Sequence, residues 1–358
     1  VTAEKTRKRA DPEATSGEPP LQSTPLALEA ESVGGMLNFE IHDHPMYSGL
    51  EIQVFDDEEH GTGKLIFLSR TDDGTTDVYL EPGLRLDPAG YAIGGGLGLW
   101  KETIFDPDRV VLAPNCLDVD IGLVDRADRS IRIRAVDEKS SRERRTAPFL
   151  APMGAAIQSP NRLPLVWMGR FDLLRRRSRF EVTIDDDPIE IGRLPGAALH
   201  RRRLVKYASD LFVVSVNPSY EGQLEEVIID DVANDSEGHR AYLQVDRGIA
   251  LDGLPSGEET SGTWRLWIDG TDLVRGRWSA YRVDFVVTLG MEVDRGWHPK
   301  GLPPFMNLVT TVVPVFRRWP TTYRWWAEID LDRRWMTSRW ERTPDGDDRA
   351  YRDVTSPG

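Results

Sequence analysis

The sequence predicts an all-β protein, and three observations carry that prediction. Apolar residues recur with a period of two rather than 3.6. The runs are rich in β-branched and aromatic residues, and Gly, Pro and Asp close them at short intervals. Helical spacing is nearly absent; its best instance is a short stretch around Leu199–Tyr207, whose arginines fit a solvated face. The count of runs points to roughly 16 to 20 strands, more than one compact sandwich holds. The expected architecture is two calycin- or lipocalin-like antiparallel β-barrel domains packed together, with a large β-sandwich or cupin-like jelly roll as the alternative.

Taken in order, residues 1–30 carry Pro12, Pro19, Pro20 and Pro25, mixed charge and no aromatic side chain, the composition of a disordered lead. Lys5, Arg7, Lys8 and Arg9 are followed by Pro12, Glu13 and Gly17 rather than an apolar segment, so no secretory signal is expected and a cytoplasmic location is. Leu50, Ile52 and Val54 alternate with Glu51 and Gln53. The run Leu65–Leu68 is closed by Asp72-Asp73-Gly74. Val78 and Leu80 point one way and Tyr79 the other. Val119, Ile121 and Leu123 alternate with Asp118, Asp120 and Gly122, and Ile131 and Ile133 with Arg132 and Arg134. Phe180, Val182 and Ile184 precede a turn at Asp185–Pro188. Leu211–Val216 and Val227–Ile229 are continuous apolar runs. Trp264, Leu266 and Ile268 end at Asp269-Gly270, a hairpin dipeptide. Long strands are predicted at Tyr281–Leu289, Leu308–Phe316 and Tyr323–Leu331.

Residues 138–164 hold Pro148, Pro152, Pro160 and Pro164 and are poor in strand signals. They place a domain boundary near 160. The expected division is a lead over 1–30, an N-terminal barrel over 31–160, a Trp-rich C-terminal barrel over 161–345 and a flexible tail over 346–358. No fixed-period repeat supports a propeller.

Composition excludes several functions. With 45 basic and 59 acidic residues the formal charge is −14, which argues against a dedicated nucleic-acid binder. The runs Arg175-Arg176-Arg177 and Arg201-Arg202-Arg203 read as solvated turns. One cysteine, Cys116, excludes a disulfide framework. No apolar run is long enough for a membrane-spanning helix. Gly61-Thr62-Gly63-Lys64 lacks the other residues of a phosphate loop, since Glu58 and Leu65 stand where Gly and Ser or Thr are needed. Gly94–Gly98 lacks the βαβ context of a dinucleotide site and reads as a bent strand under a close backbone neighbour.

His42 and His44 would share a strand face, and with Glu51 they resemble part of the first cupin motif. Gly35 and Glu51 sit at the wrong spacings, and no later histidine completes the pattern. A metal site is therefore the alternative, and no metal or cofactor is the expectation. His60, His200, His239 and His298 stand in no recognisable spacing.

The candidate acids are Asp118 and Asp120, on one face of a strand, and Tyr323. Facing a lumen, the two carboxylates would crowd and one pKa would rise; facing solvent, they are ordinary charges. Tryptophan is the most uneven feature: ten of eleven lie after residue 160. Trp325 and Trp326 must point to opposite faces, so one set packs the core while another meets solvent or a cavity. Candidate ligand contacts are Trp100, Trp264, Trp278, Trp325 and Trp326. These features predict a cofactor-independent enzyme that holds an apolar small molecule in a Trp-lined cavity and promotes cyclisation, isomerisation or hydration. The alternatives are a non-catalytic lipid or carbohydrate binder, or a cupin-like metal enzyme. In length and β-richness the chain resembles tandem-calycin proteins, among them carotenoid hydratases and lipocalin-like Diels–Alder cyclases, a likeness of fold alone.

Overall fold

The structure is a computed structural model. It describes residues 28–91, 95–113, 116–137, 147–152, 160–193, 201–224, 232–234, 240–246, 253–296, 302, 304–313, 316 and 318–343. Most of the expected lead, the expected tail and the run Val227–Ile229 lie outside them. The described chain is nearly all β, in curled half-barrel sheets.

The largest sheet holds β1 (Leu28–Val33), β2 (Gly35–Glu40), β3 (Tyr47–Asp57), β4 (Gly61–Arg70), β5 (Thr76–Leu80) and β6 (Leu97–Glu102). It also takes in β10 (Ala147–Ala151), β11 (Leu163–Arg175), β14 (Arg202–Ala208) and β15 (Leu211–Val216). Its order is β1-β15-β11-β14-β2-β3-β4-β5-β6, with β10 on β11 and only the β5–β6 pair parallel. A five-stranded sheet is built from β7 (Asp108–Ala113), β8 (Cys116–Val124), β9 (Ser130–Asp137), β12 (Arg179–Ile184) and β13 (Asp187–Pro188). An eight-stranded sheet holds β16 (Tyr220–Gln223), β17 (Val232–Asn234), β18 (Arg240–Val245) and β19 (Glu259–Ile268). Its remaining strands are β20 (Thr271–Val283), β21 (Val286–Arg295), β22 (Tyr323–Asp330) and β23 (Trp335–Arg342).

Strand β4 explains how the sheets stack. Ile66 and Leu68 join Phe39, Tyr79 and Val205 in a core shared with Val119, Ile121 and Ile133 of the five-stranded sheet. Leu65 and Phe67, on the other face, belong to a second core. That core runs through Val78 and Trp167 to Trp264, Trp325 and Trp340 of the eight-stranded sheet. The largest sheet is thus buried on both faces, so Leu65–Leu68 is a continuous apolar run rather than an alternating one. Each such large side chain contributes about 1.5–3 kcal/mol by burial.

Several expectations change. Strands β14 and β15 follow residue 160 yet pair with β2 and β1, with β11 between them, so the largest sheet draws its strands from both sides of residue 160. Strand β1 starts at Leu28, inside the expected lead. The stretch predicted helical near Leu199–Tyr207 contains β14, whose Val205 and Tyr207 alternate into the core with the five-stranded sheet. The predicted strand Leu308–Phe316 is instead largely α1 (Pro304–Val312). Its β-branched run Val309–Val312 imitates a strand, but Pro304 opens a helical turn and buried Met306 and Thr310 stand four apart. Tyr281–Leu289 is a hairpin, turned at Asp284 with φ of 51°. The Asp269-Gly270 hairpin is found as expected, with φ of 49° and 73°, both positive as a type I′ turn requires. No helix among the described residues is long and apolar enough to cross a membrane.

That hairpin aligns two Gly-x-Trp triplets. Gly262 pairs with Trp278, and Trp264 pairs with Gly276. The Trp264 indole lies across Gly276 and donates to the Glu292 carbonyl at 3.1 Å. A Cβ on Gly276 would collide with that backbone carbonyl as well as with the indole. Gly276→Ala is therefore expected to cost at least about 3 kcal/mol, because no rotamer change removes a backbone clash. Urea unfolding of the two proteins checks this, and an unchanged midpoint would refute it.

Candidate functional site

The residues singled out in the sequence fall in different places. Asp118 and Asp120 lie on the outer face of the five-stranded sheet, the solvent-facing alternative. Asp118 pairs with Arg109 at 3.1 Å, and Asp120 with Arg132 at 3.0 Å and Arg134 at 3.4 Å. Hydrogen bonding from Arg132 holds the Asp120 carboxyl below its ordinary value, the opposite of a crowded acid. Tyr323, Trp264, Trp278 and Trp325 are buried on the inner face of the eight-stranded sheet. Trp326 is on the outer face, under the Arg339 guanidinium at 4.5 Å. Trp100 lies on the largest sheet, beside Tyr91.

Where the largest sheet curls, β1 returns over β3 and brings together a chain of titratable groups that the sequence spacing does not reveal. Asp57 ends β3, and its Oδ1 accepts the N–H groups of Glu59 at 2.9 Å and His60 at 2.7 Å. This turn places His60 Nδ1 3.0 Å from the same oxygen and 3.1 Å from Oδ2. The ring is thereby fixed, and its Nε2 points to Glu31 Oε1 of β1 at 3.6 Å. The same oxygen accepts the Tyr91 hydroxyl at 3.1 Å. Burial, then the Glu31 charge, push the Tyr91 phenol far up, so it is a proton donor at any ordinary pH.

Aromatic rings wall this chain. Tyr91 packs between Phe67 at 5.9 Å and Trp100 at 5.7 Å, and Phe55 lies 5.6 Å from the His60 ring. The His60 and Glu31 side chains are 16% and 28% exposed, so both are largely shielded from solvent. A carboxylate-oriented imidazole, a second carboxylate and a phenol donor in one line form an acid–base apparatus. The signal that could have found it is the Asp57-x-x-His60 spacing before the Gly61 turn; Glu31 and Tyr91 join only through the curl of the sheet.

Glu51 stands on the same sheet face. The register runs Leu173, Lys206, Asn38, Glu51, Phe67, Val78, Trp100 across six strand pairs. Glu51 accepts hydrogen bonds from Asn38 Nδ2 at 3.0 Å and Gln53 Nε2 at 2.7 Å. Burial pushes its carboxyl up, against the pull of those amides and of Lys206. A raised carboxyl means that the folded state binds more protons than the unfolded one. Its burden is thus absent below the unfolded value of about 4.3 and grows as pH rises through the folded one. Glu51→Gln is expected to raise the melting temperature at about pH 8 and to lose that gain near pH 4. Thermal melts at both pH values check it; a variant that melts lower at pH 8 contradicts it.

The histidine pair does not converge on Glu51. His42 Nε2 meets Asp43 at 2.9 Å, while His44 Nδ1 accepts the N–H groups of Met46 and Tyr47 at 3.3 and 3.1 Å. Among the described residues no group of His, Cys, Asp and Glu is arranged to hold a metal ion. A further network joins two sheets. Asp125, at the β8–β9 turn, is fully buried and accepts from Tyr47 of β3 at 2.9 Å. Arg129 Nη2 meets it at 2.7 Å, and the N–H groups of Ala127 and Arg129 at 2.8 and 3.0 Å. Fully buried Asp77 of β5 faces Arg70 and Arg126 at 3.6 and 3.3 Å.

Compared with known protein families, curated proteins and solved structures, the chain matches none.

Proposed function

We propose that this protein is an acid–base enzyme that isomerises an apolar small molecule using its own side chains. The observation that carries the reading is the Asp57–His60–Glu31–Tyr91 chain against the wall of Phe55, Phe67 and Trp100. His60 Nε2 removes a proton from a carbon next to a carbonyl, while Tyr91 donates its hydroxyl to the oxygen on which charge develops. The proton returns from His60 to the γ-carbon of the conjugated system, so the double bond moves and no atom is gained or lost. Asp57 keeps the imidazole in the orientation and tautomer that this requires, and the Tyr91 hydroxyl, which donates to Glu31 without substrate, turns its single proton to the substrate's oxygen when that oxygen takes its place. Among cyclisation, isomerisation and hydration, isomerisation is the one that uses every group in the chain. The calycin-like reading of the half-barrels belongs with this proposal, since such sheets enclose apolar ligands. Asp118 and Asp120, paired to arginines on the outer face, take no part in it.

The test uses β-tetralone, an apolar ketone with acidic α-protons, in heavy water. The full chain should accelerate α-proton exchange, followed by proton NMR, beyond an equal concentration of free imidazole. A rate equal to that of imidazole would overturn the reading.

A further inference from the structure

The chain changes character where it leaves β21. From Arg295 to Ala327 it carries no Asp or Glu, although 59 of its 358 residues are acidic. The same stretch holds Arg295, Lys300, Arg317, Arg318 and Arg324, in a chain whose formal charge is −14. Between Lys300 and Arg317 no residue carries a formal charge. The two acids just before the stretch already face arginines. Arg277 meets Asp294 at 2.9 Å, and Arg324 meets Glu292 at 3.6 Å.

Helix α1 lies in the uncharged part of this stretch. Leu302 and Met306 belong to the core that reaches Trp264, with Val313 and Phe316 packed against it. The Phe316 ring lies 5.7 Å from Phe149 of β10. One side of the helix is thereby held. The other side presents Leu308 and Val312, one turn apart and 59% and 65% exposed. Asn307 and Thr311 are exposed beside them, and the Thr311 hydroxyl donates to the Asn307 carbonyl at 2.6 Å. None of these four side chains is charged. A surface helix ordinarily turns charged and polar residues to water. Arg318, also exposed, follows six positions after Val312.

We infer that α1 docks this protein on an anionic lipid surface. An apolar stripe within a basic, acid-free segment suits the headgroup boundary of a bilayer. Apolar side chains enter among the acyl chains there, and cations stay among the lipid phosphates. The nine residues of α1 extend about 14 Å, far short of a hydrocarbon core of about 30 Å, so the helix lies on the bilayer and does not cross it. A nucleic acid would match the positive charge but gains nothing from Leu308 and Val312. A second exposed apolar group, Val283, Phe285 and Trp335, stands at the other end of β21. Asp284, Asp330 and Asp332 stand among these residues in the chain, and an anionic membrane repels them. Docking through α1 requires none of Asp57, His60 and Tyr91, so it is independent of the proposed chemistry.

Flotation of the full chain with lipid vesicles tests this. The vesicles are phosphatidylcholine alone, or phosphatidylcholine with about one third phosphatidylglycerol. Flotation with the anionic vesicles and not with the neutral ones is expected. It should weaken between about 0.05 M and about 0.5 M salt, as screening shortens the reach of the charges. Leu308→Ser with Val312→Ser removes the apolar stripe and should weaken binding about tenfold or more. Arg317→Gln with Arg318→Gln should also weaken it about tenfold or more. Phe285→Ser and His60→Gln should leave it unchanged. Circular dichroism checks each fold; if the double serine variant does not fold, Leu308→Ser alone carries the comparison. Three results would each overturn the inference. One is no flotation with the anionic vesicles, and another is equal flotation with both kinds. The third is anionic flotation that the serine variant leaves unchanged, the outcome of a contact made by charge alone, as with a nucleic acid or an acidic protein.

Discussion

His60→Gln is expected to lower α-proton exchange of β-tetralone about 10²–10⁴-fold, the range for removing a positioned general base. Glutamine keeps the hydrogen-bonding shape of the side chain but has no basic nitrogen to carry the proton. Tyr91→Phe removes the donor to the developing oxyanion and should cost about 10²–10³-fold. Asp57→Asn leaves the imidazole in place but gives its Nδ1 a different partner, so a large part of the His60 loss should follow. The Asp57→Asn, His60→Gln double variant should then be no slower than His60→Gln alone, because the two residues act as one unit. Initial rates measured beside thermal melts separate these outcomes from unfolding. A His60→Gln variant with wild-type exchange would remove His60 from the mechanism, and additive losses would show that Asp57 acts elsewhere.

The strands were legible in the sequence, and the convergence of the site was not, for a physical reason. Alternation at Val78–Leu80 tells which side chains share a face, and the two cores divide Val78 and Leu80 from Tyr79 as that alternation demands. Periodicity carries no information on which strands become neighbours. Glu31 and His60 are 29 positions apart along the chain, and they meet because β1 pairs with β15 and the sheet then curls back over β3. Strand partners drawn from beyond residue 160 likewise hid the true extent of the first sheet. The tryptophans were informative in part. The opposite facing of Trp325 and Trp326 follows from chain order, and one is buried while the other lies under Arg339. The glycines that admit Trp264 and Trp278 became meaningful only with the register of β19 on β20. Misreadings arose where local preference was overruled. Val309–Val312 favours a strand by composition, yet the spacing of Met306 and Thr310 makes that segment a helix.

The largest stability effect is expected at Asp125, where the five-stranded sheet is fastened to the largest one. The carboxylate has no contact with water and is held by Tyr47, Arg129 and two backbone N–H groups. Asp125→Ala strands the Arg129 guanidinium beside Tyr47 and orphans those N–H groups, a loss of about 3–5 kcal/mol. Tyr47→Phe removes one hydrogen bond and leaves the ion pair, so about 1 kcal/mol is expected. The pH dependence separates charge from packing. Burial alone would raise the Asp125 carboxyl, but the hydrogen bonds from Arg129, Ala127 and Tyr47 outweigh it and hold the group below its ordinary value. A depressed carboxyl means that the folded state binds fewer protons than the unfolded one. Its stabilisation is therefore complete above the unfolded value of about 3.9 and disappears as pH falls through the folded value. Asp125→Asn keeps the volume and an acceptor for the backbone but cannot titrate. Its deficit against wild type in urea should be full at about pH 7 and should shrink below about pH 4. Equal urea midpoints for wild type and Asp125→Asn at neutral pH would show that the charge contributes nothing to fastening the sheets. A deficit independent of pH would assign the effect to shape alone.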